Sequence, residues 1–140
     1  MCYRVILCKR KEKEKTTVTN STMGYAHRLL RDTTPLQRGI IRHLVLILDL
    51  SSAMTEKDLR PTRYLLTLRY AQEFVQEFFE QNPISQLGIL GMRDGVAVRI
   101  SNMSGNPTEH MLAIQDLRSK DPNGLPSLQN ALDMAHAALL

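Results

Sequence analysis

The most constraining feature of this 140-residue chain is an unbroken apolar run, Leu44–Leu48, that ends at Asp49. A run without polar alternation is typical of a strand buried on both faces of a sheet. It is much shorter than the roughly 20 apolar residues that a membrane-spanning helix needs. We therefore predict a layered α/β fold, with helices on both faces of the sheet, and expect no membrane association.

An amphipathic helix is predicted after this strand. Polar side chains fill one face, and the opposite face carries apolar residues at alternating steps of four and three. These apolar residues are Tyr64, Leu68, Ala71, Val75 and Phe78. Asp58 followed by Pro61 is typical of a helix cap and first turn, so we expect the helix to start just after Asp58. Its end is predicted near Gln81, because Asn82 precedes a proline and is pushed out of the helical region.

A hairpin and two more helices follow. Gln86–Met92 and Val96–Ile100 are apolar strands separated by Asp-Gly, a dipeptide that favours a tight antiparallel turn. Pro107 opens a short helix that runs to about Arg118. Ser127 is placed to cap a last helix, whose apolar face is formed by Leu128, Ala131, Leu132, Ala135 and Leu139.

Together these elements predict a Rossmann-like fold. The sheet is expected to be mostly parallel, with an antiparallel edge strand and flanking helices. Two parallel strands and one edge strand would leave apolar sheet edges without a partner. We therefore expect the chain to be a fragment of a longer domain or the product of a truncated gene model.

The net charge of +4 comes entirely from the start of the chain. Residues 1–22 hold six basic and two acidic residues, whereas the remainder holds twelve of each. A neutral globular part argues against direct nucleic-acid binding, which needs clustered basic residues on the fold. Both cysteines lie in the first ten residues, which argues against a disulfide scaffold and favours a reducing compartment. Lys9–Thr22 should be disordered, so we divide the chain into a disordered or irregular segment, 1–32, and one domain, 33–140.

A candidate ligand site lies where the first strand ends, since open α/β sheets bind ligands beyond the carboxyl ends of their strands. Asp49-Leu50-Ser51-Ser52-Ala53 resembles the D-x-S-x-S metal-ion-dependent adhesion motif of von Willebrand A domains, and Ser127 lies where that family places a later hydroxyl ligand. Ala53, however, replaces the second serine. One carboxylate and two neutral oxygens are a poor cage for Mg²⁺, so we expect no metal or other cofactor. In the alternative interpretation, Asp49 and Ser51 bond backbone amides in the turn.

Several longer stretches are similar to the von Willebrand A domain of a TFIIH core subunit, of the Ssl type. They are Leu36–Leu44, Asp58–Arg63, Phe78–Gly88 and Ser104–Pro107, and the likeness spans Thr33 to Leu140. The resemblance implies a non-catalytic nuclear subunit. Such a subunit binds and stimulates the XPD-type helicase and joins other TFIIH core subunits, in nucleotide excision repair and in initiation of transcription by RNA polymerase II. The family's cysteine-rich zinc-binding region has no counterpart here.

A partner surface is predicted on the long helix. Leu66, Tyr70 and Phe74, spaced by four, widen its apolar stripe beyond what one sheet face needs. Coverage by neighbouring helices is the alternative.

A second candidate function is a metal-dependent adhesion or ligand-binding module, against which Ala53 argues.

Enzymatic activity is not expected. The chain has neither the glycine-rich loops that cradle phosphates nor a serine nucleophile elbow. Its histidines have no metal-ligand spacing, and we expect them at the surface or half-buried. They are His27, His43, His110 and His136.

Overall fold

The computed structural model describes Val5–Arg10 and residues 41–140. Over these residues the chain forms one four-stranded sheet with helices on both faces. The elements are β1 (Val5–Arg10), β2 (Arg42–Asp49), a short 3-10 helix (Ser52–Thr55), α1 (Arg63–Gln81), β3 (Gln86–Arg93), β4 (Val96–Ser104), α2 (Pro107–Leu117) and α3 (Leu128–Leu139). None of the helices in this described part is long and apolar enough to cross a bilayer.

The sheet has the order β1-β2-β3-β4. β2 and β3 are parallel, with His43 opposite Gln86, and β4 runs antiparallel to β3 at the edge. This confirms the predicted parallel pair and antiparallel edge strand. β1 adds an antiparallel strand on the other side of β2. It falls within the segment 1–32 for which we expected no regular structure; the rest of that segment lies outside the described residues.

The pairing of β1 with β2 has a physical reason. An unpaired strand edge presents a row of backbone N–H and C=O groups, and β2 would have such an edge without β1. Val5–Arg10 begins with Val-Ile-Leu, residues that are enriched in strands. Because the strand-forming residues precede the charged ones, the composition of the segment as a whole did not reveal this strand.

Alternate residues of β2 point into two separate cores. The larger core lies between the sheet and the helices α1 and α2, and the smaller lies between the sheet and α3. On β2, the larger core receives Leu44, Leu46 and Leu48, and the smaller receives Val45 and Ile47. All five are at most 6% exposed, so β2 is buried on both faces, as the unbroken apolar run predicted.

The long helix begins later than predicted, at Arg63 rather than just after Asp58. Thr62 is its cap, since the threonine hydroxyl accepts a hydrogen bond of 3.2 Å from Leu65 N–H. Asp58 instead receives two hydrogen bonds of 2.7 Å from the Arg63 guanidinium. These bonds lower the pKa of the Asp58 carboxyl below its ordinary value. The prediction that Asp58 caps this helix is therefore wrong, because the cap is the threonine that directly precedes the helix.

β4 also extends beyond its predicted end, to Ser104. The added residues form a buried polar contact with α2: His110 Nδ1 lies 2.7 Å from Ser101 Oγ, and Nε2 lies 3.2 Å from the Ser104 carbonyl oxygen. His110 is fully buried and stacks on the ring of Phe79 at 5.8 Å. The expectation that the histidines lie at the surface or half-buried is therefore wrong for His110.

A buried hydroxyl ties α1 to the end of α2. Tyr64 is 5% exposed, and its hydroxyl donates a hydrogen bond of 2.7 Å to the Leu117 carbonyl. Replacing Tyr64 with phenylalanine should lower the free energy of unfolding by about 1 kcal/mol, because the bond is lost and a buried carbonyl remains. Urea denaturation of the unaltered chain and of Tyr64→Phe measures this difference.

The same variant should change the pH dependence of stability. Burial raises the pKa of the Tyr64 phenol above its ordinary value. Below a pH of about 10 the phenol is neutral in both states, so its contribution is complete; above that, the unfolded chain loses its proton first and the contribution falls. We expect the difference between the unaltered chain and Tyr64→Phe to shrink above pH 10. A difference that stays constant to pH 11 would contradict this.

Candidate functional site

The predicted site lies where β2 ends at the carboxyl edge of the parallel pair. Asp49 is half-buried, and its Oδ1 accepts a hydrogen bond of 2.9 Å from the backbone N–H of Ser51. Leu50 N–H donates to the Met92 carbonyl at the end of β3. The Asp49 carboxylate therefore bonds a backbone amide, as in the alternative to metal binding. This bond uses Oδ1 and leaves Oδ2 as the second acceptor oxygen.

A second loop is bonded to this strand end. The Gly124 carbonyl accepts hydrogen bonds of 3.0 Å from both the backbone N–H and the hydroxyl of Ser52. Asn123 N–H donates to the Leu50 carbonyl, also at 3.0 Å. We call these three bonds the loop clasp. It joins the loop after β2 to the loop between α2 and α3, although the bonded residues are more than 70 positions apart in the chain.

The turn between β3 and β4 joins the same assembly. Gly95 N–H donates to the Leu125 carbonyl and the Asn130 side-chain amide donates to the Gly95 carbonyl, both at 2.8 Å. Gly124 has φ +70°, and a Cβ added to it would lie 2.6 Å from Asp94 Cα. Only a residue without a side chain permits this approach. Three loops thus form one continuous surface, which we call the carboxyl-edge surface.

The structure brings the three predicted site residues to this edge without joining them. Ser127 is the cap residue of α3, but its side chain makes no capping hydrogen bond. No hydrogen bond between described residues links its hydroxyl to Asp49 or Ser51. Ser51 is fully buried, and its Oγ is the one buried side-chain polar atom of the described residues without a hydrogen-bond partner.

An unpartnered buried hydroxyl is what one ligand of a cation site would look like, but the oxygen atoms around it do not complete such a site. Asp49 is the one carboxylate of the motif, and one of its oxygens is already bonded. The Ser52 hydroxyl is bonded to Gly124, and Ala53 has no donor. Within the described residues, no group of three His, Cys, Asp or Glu side chains could hold a metal ion. Mg²⁺ gives up its water reluctantly, and this donor set does not fit it.

Titration with Mg²⁺ or Mn²⁺ tests that conclusion. Isothermal titration calorimetry is expected to show no binding in the micromolar range, because one half-engaged carboxylate and two neutral hydroxyls cannot replace the ion's water shell. Ala53→Ser, which restores the missing hydroxyl, should leave the affinity no better than millimolar. Micromolar binding that disappears in Asp49→Ala would contradict the prediction.

The predicted partner surface on α1 is narrower than its sequence spacing indicated. Tyr70 is 52% exposed, whereas Leu66 and Phe74 are half-buried. Phe74 packs against the larger core, and its ring lies 6.0 Å from that of Phe78. Leu65, which precedes Leu66, also packs against this core. The exposed part of this surface is therefore centred on Tyr70.

Sequence reasoning missed the residues of the loop clasp. Asn123 and Gly124 lie between the two last predicted helices, but nothing in a single sequence shows which backbone groups such a segment will bond. The Asn-Gly pair was the available signal, because it permits the positive φ that Gly124 adopts. The bonding partner, Ser52, was considered only as part of the motif.

Comparison with known proteins identifies the family. The model of the Ssl1-like family matches residues 47–140. The subunit ssl1 of general transcription and DNA repair factor IIH from Schizosaccharomyces pombe is 60% identical over 116 residues, which are 83% of this chain and 27% of that protein. General transcription factor IIH subunit 2 of Dictyostelium discoideum is 42% identical over 111 residues, 79% of this chain and 24% of its own. The chain thus spans about a quarter of the length of these relatives.

Solved structures support the fold. The VWA domain of SpRpn10 superposes with a TM-score of 0.55 at 18% identity, over 68% of this chain and 48% of that one. The vWF domain of the pili tip protein Mfa5 from Porphyromonas gingivalis superposes with a TM-score of 0.57 at 19% identity, over 68% of this chain and 31% of that one. Likeness at this identity concerns the fold alone, and the family match is far closer. The chain therefore belongs to the Ssl1-like family, and its described residues form part of the von Willebrand A fold, as predicted from its sequence.

Proposed function

We propose that this chain acts as an Ssl1-type subunit of the TFIIH core, in the nucleus, in transcription initiation by RNA polymerase II and in nucleotide excision repair. The observation that carries the proposal is the 60% identity to a subunit named for general transcription and DNA repair, over 83% of this chain. Identity at this level extends over 116 residues rather than one motif.

Within that complex, the proposed role is to bind and stimulate the XPD-type helicase and to contact other core subunits, without catalysing a reaction. The carboxyl-edge surface supports a non-catalytic role. Its hydroxyl at Ser52 is used in the loop clasp, and its carboxylate at Asp49 bonds a backbone amide. The donor set also argues against the alternative function, a metal-dependent adhesion module.

A helicase assay tests this proposal. Purified XPD-type helicase of fission yeast should unwind a forked duplex faster when the chain is added, and the chain should be retained on immobilised helicase. Retention of the chain on the helicase should be the same whether or not Mn²⁺ or Ca²⁺ is added. If the helicase neither retains the chain nor changes its rate, the proposed role fails. Retention that requires added Mn²⁺ or Ca²⁺ would favour the adhesion module.

Tyr70→Glu tests the α1 surface in the same assay. A charge at the exposed centre of an apolar contact should lower helicase affinity roughly tenfold, because interface centres are desolvated. Gln72→Glu, on the same helix, adds the same charge away from Tyr70 and is the matched control. Equal affinities for the two variants would remove α1 from the proposed interface.

A further inference from the structure

Three apolar side chains stand exposed on the carboxyl-edge surface. Leu125 is 73% exposed, Val96 50% and Leu128 42%. They belong to three segments that hydrogen bonds bring together: Val96 follows Gly95, which is bonded to Leu125, and Leu128 lies in the first turn of α3. A single exposed leucine is ordinary on a protein surface, whereas a set gathered from separate segments is typical of an interaction site.

The backbone that carries these side chains is held on both sides. The Leu125 carbonyl accepts the Gly95 N–H, and the preceding residue, Gly124, is bonded by the loop clasp and lies against Asp94. On the other side, the Asn130 amide bonds the Gly95 carbonyl. The exposed side chains therefore lie on an ordered backbone rather than on a loose loop. A surface that is already ordered loses little conformational entropy when a partner binds.

The part of this surface that carries Leu125 and Leu128 is uncharged, and the charges beside Val96, those of Arg93 and Asp94, are paired with each other at 3.2 Å. Residues 122–132, which contain the loop and the first turns of α3, hold no acidic or basic side chain, in a chain that is 23% charged. The centres of protein interfaces are depleted in charged residues. A nucleic acid or an acidic surface needs basic partners, which this stretch does not offer. The complementary occupant is therefore an uncharged, apolar protein surface.

We propose that Leu125, Leu128 and Val96 form a docking site for the uncharged, apolar surface of another TFIIH core subunit. This proposal rests on the proposed function and adds a second interface, separate from the α1 surface. The loop clasp orders the docking site with protein hydrogen bonds, so binding requires no divalent cation.

The test uses the full chain and the fission-yeast TFIIH core subunits, co-expressed without their own Ssl1 subunit. Leu125→Glu/Leu128→Glu should lower the affinity of the chain for this assembly at least about tenfold, because charge enters the centre of the contact. Leu112→Glu, at a side chain that is 61% exposed on α2, is the matched control and should have an effect below about twofold. Circular dichroism melts of all variants should agree with the unaltered chain.

The outcomes separate the two proposals. If the unaltered chain binds and the double variant binds equally well, the docking site is overturned while the proposed function stands. Equal losses for the double variant and Leu112→Glu would also overturn it, since the effect would not be specific to this surface. If the unaltered chain binds no core subunit, both proposals fail. A lower melting temperature of the isolated chain in EDTA would overturn the claim that the loop clasp needs no cation.

Discussion

Replacing Gly124 with alanine is expected to lower the free energy of unfolding by about 3 kcal/mol, whereas Gly95→Ala should lower it by about 1 kcal/mol. Both glycines have positive φ, at +70° and +75°, so both variants include the conformational cost of an L residue there. The two positions differ in the space available to an added Cβ. A Cβ on Gly95 meets nothing within 4 Å, but one on Gly124 would lie 2.6 Å from Asp94 Cα and 2.7 Å from Asp94 N.

The difference between these variants measures the contact between the loop clasp and the β3–β4 turn. Backbone atoms cannot move aside as the end of a flexible side chain can, so the loop itself must shift. That shift should break the Ser52 bonds to the Gly124 carbonyl, and amide hydrogen exchange at Ser52 should rise in Gly124→Ala but not in Gly95→Ala. Equal stabilities for the two variants would mean that the loops are not packed as described.

Much of the layered fold was predictable because its signals are local. The apolar run of β2, the periodicity of α1 and the Asp94-Gly95 turn each depend on neighbouring residues, and each was located to within a few positions. The predicted start of α1 was wrong because Asp58 bonds the Arg63 guanidinium, whereas Thr62 bonds the first turn of the helix. Which polar residue before a helix bonds the first turn depends on backbone geometry, and sequence spacing does not give that geometry.

The candidate site was less predictable because its decisive contacts are distant in sequence. The motif located Asp49 and Ser51 at the strand end, and Ala53 indicated a degraded cation site. It did not show that Ser52 would bond a loop at Gly124. The exposed side of this edge was not predicted either, because the hydrogen bond that holds Leu125 comes from Gly95, 30 positions away in the chain.

These contacts give the carboxyl edge a different use from the one its motif indicates. In a cation site, the hydroxyls and the carboxylate would remain available to an ion. Here the Ser52 hydroxyl joins two loops, and one Asp49 oxygen holds the turn. An edge that is ordered by its own hydrogen bonds can present a fixed apolar surface at any divalent-cation concentration, which is consistent with the proposed docking site.

The second large effect is expected at His110. Replacing this histidine with alanine should lower the free energy of unfolding by about 3 to 4 kcal/mol, since a fully buried ring is removed and a cavity remains against Phe79. The variant also leaves the buried Ser101 hydroxyl and the Ser104 carbonyl without their partner. His136→Ala, at an exposed position on α3, is the matched control and should cost less than about 0.5 kcal/mol.

A third variant separates hydrogen bonding from packing. The Ser104 carbonyl can only accept, so His110 Nε2 carries the proton and Nδ1 accepts from the Ser101 hydroxyl when the ring is neutral. Glutamine can place an amide N–H near the Nε2 position, and His110→Gln should therefore recover part of the loss by bonding Ser104. Urea denaturation of the three variants measures the order. If His110→Gln is no more stable than His110→Ala, the bond to Ser104 contributes little and the ring acts through packing on Phe79.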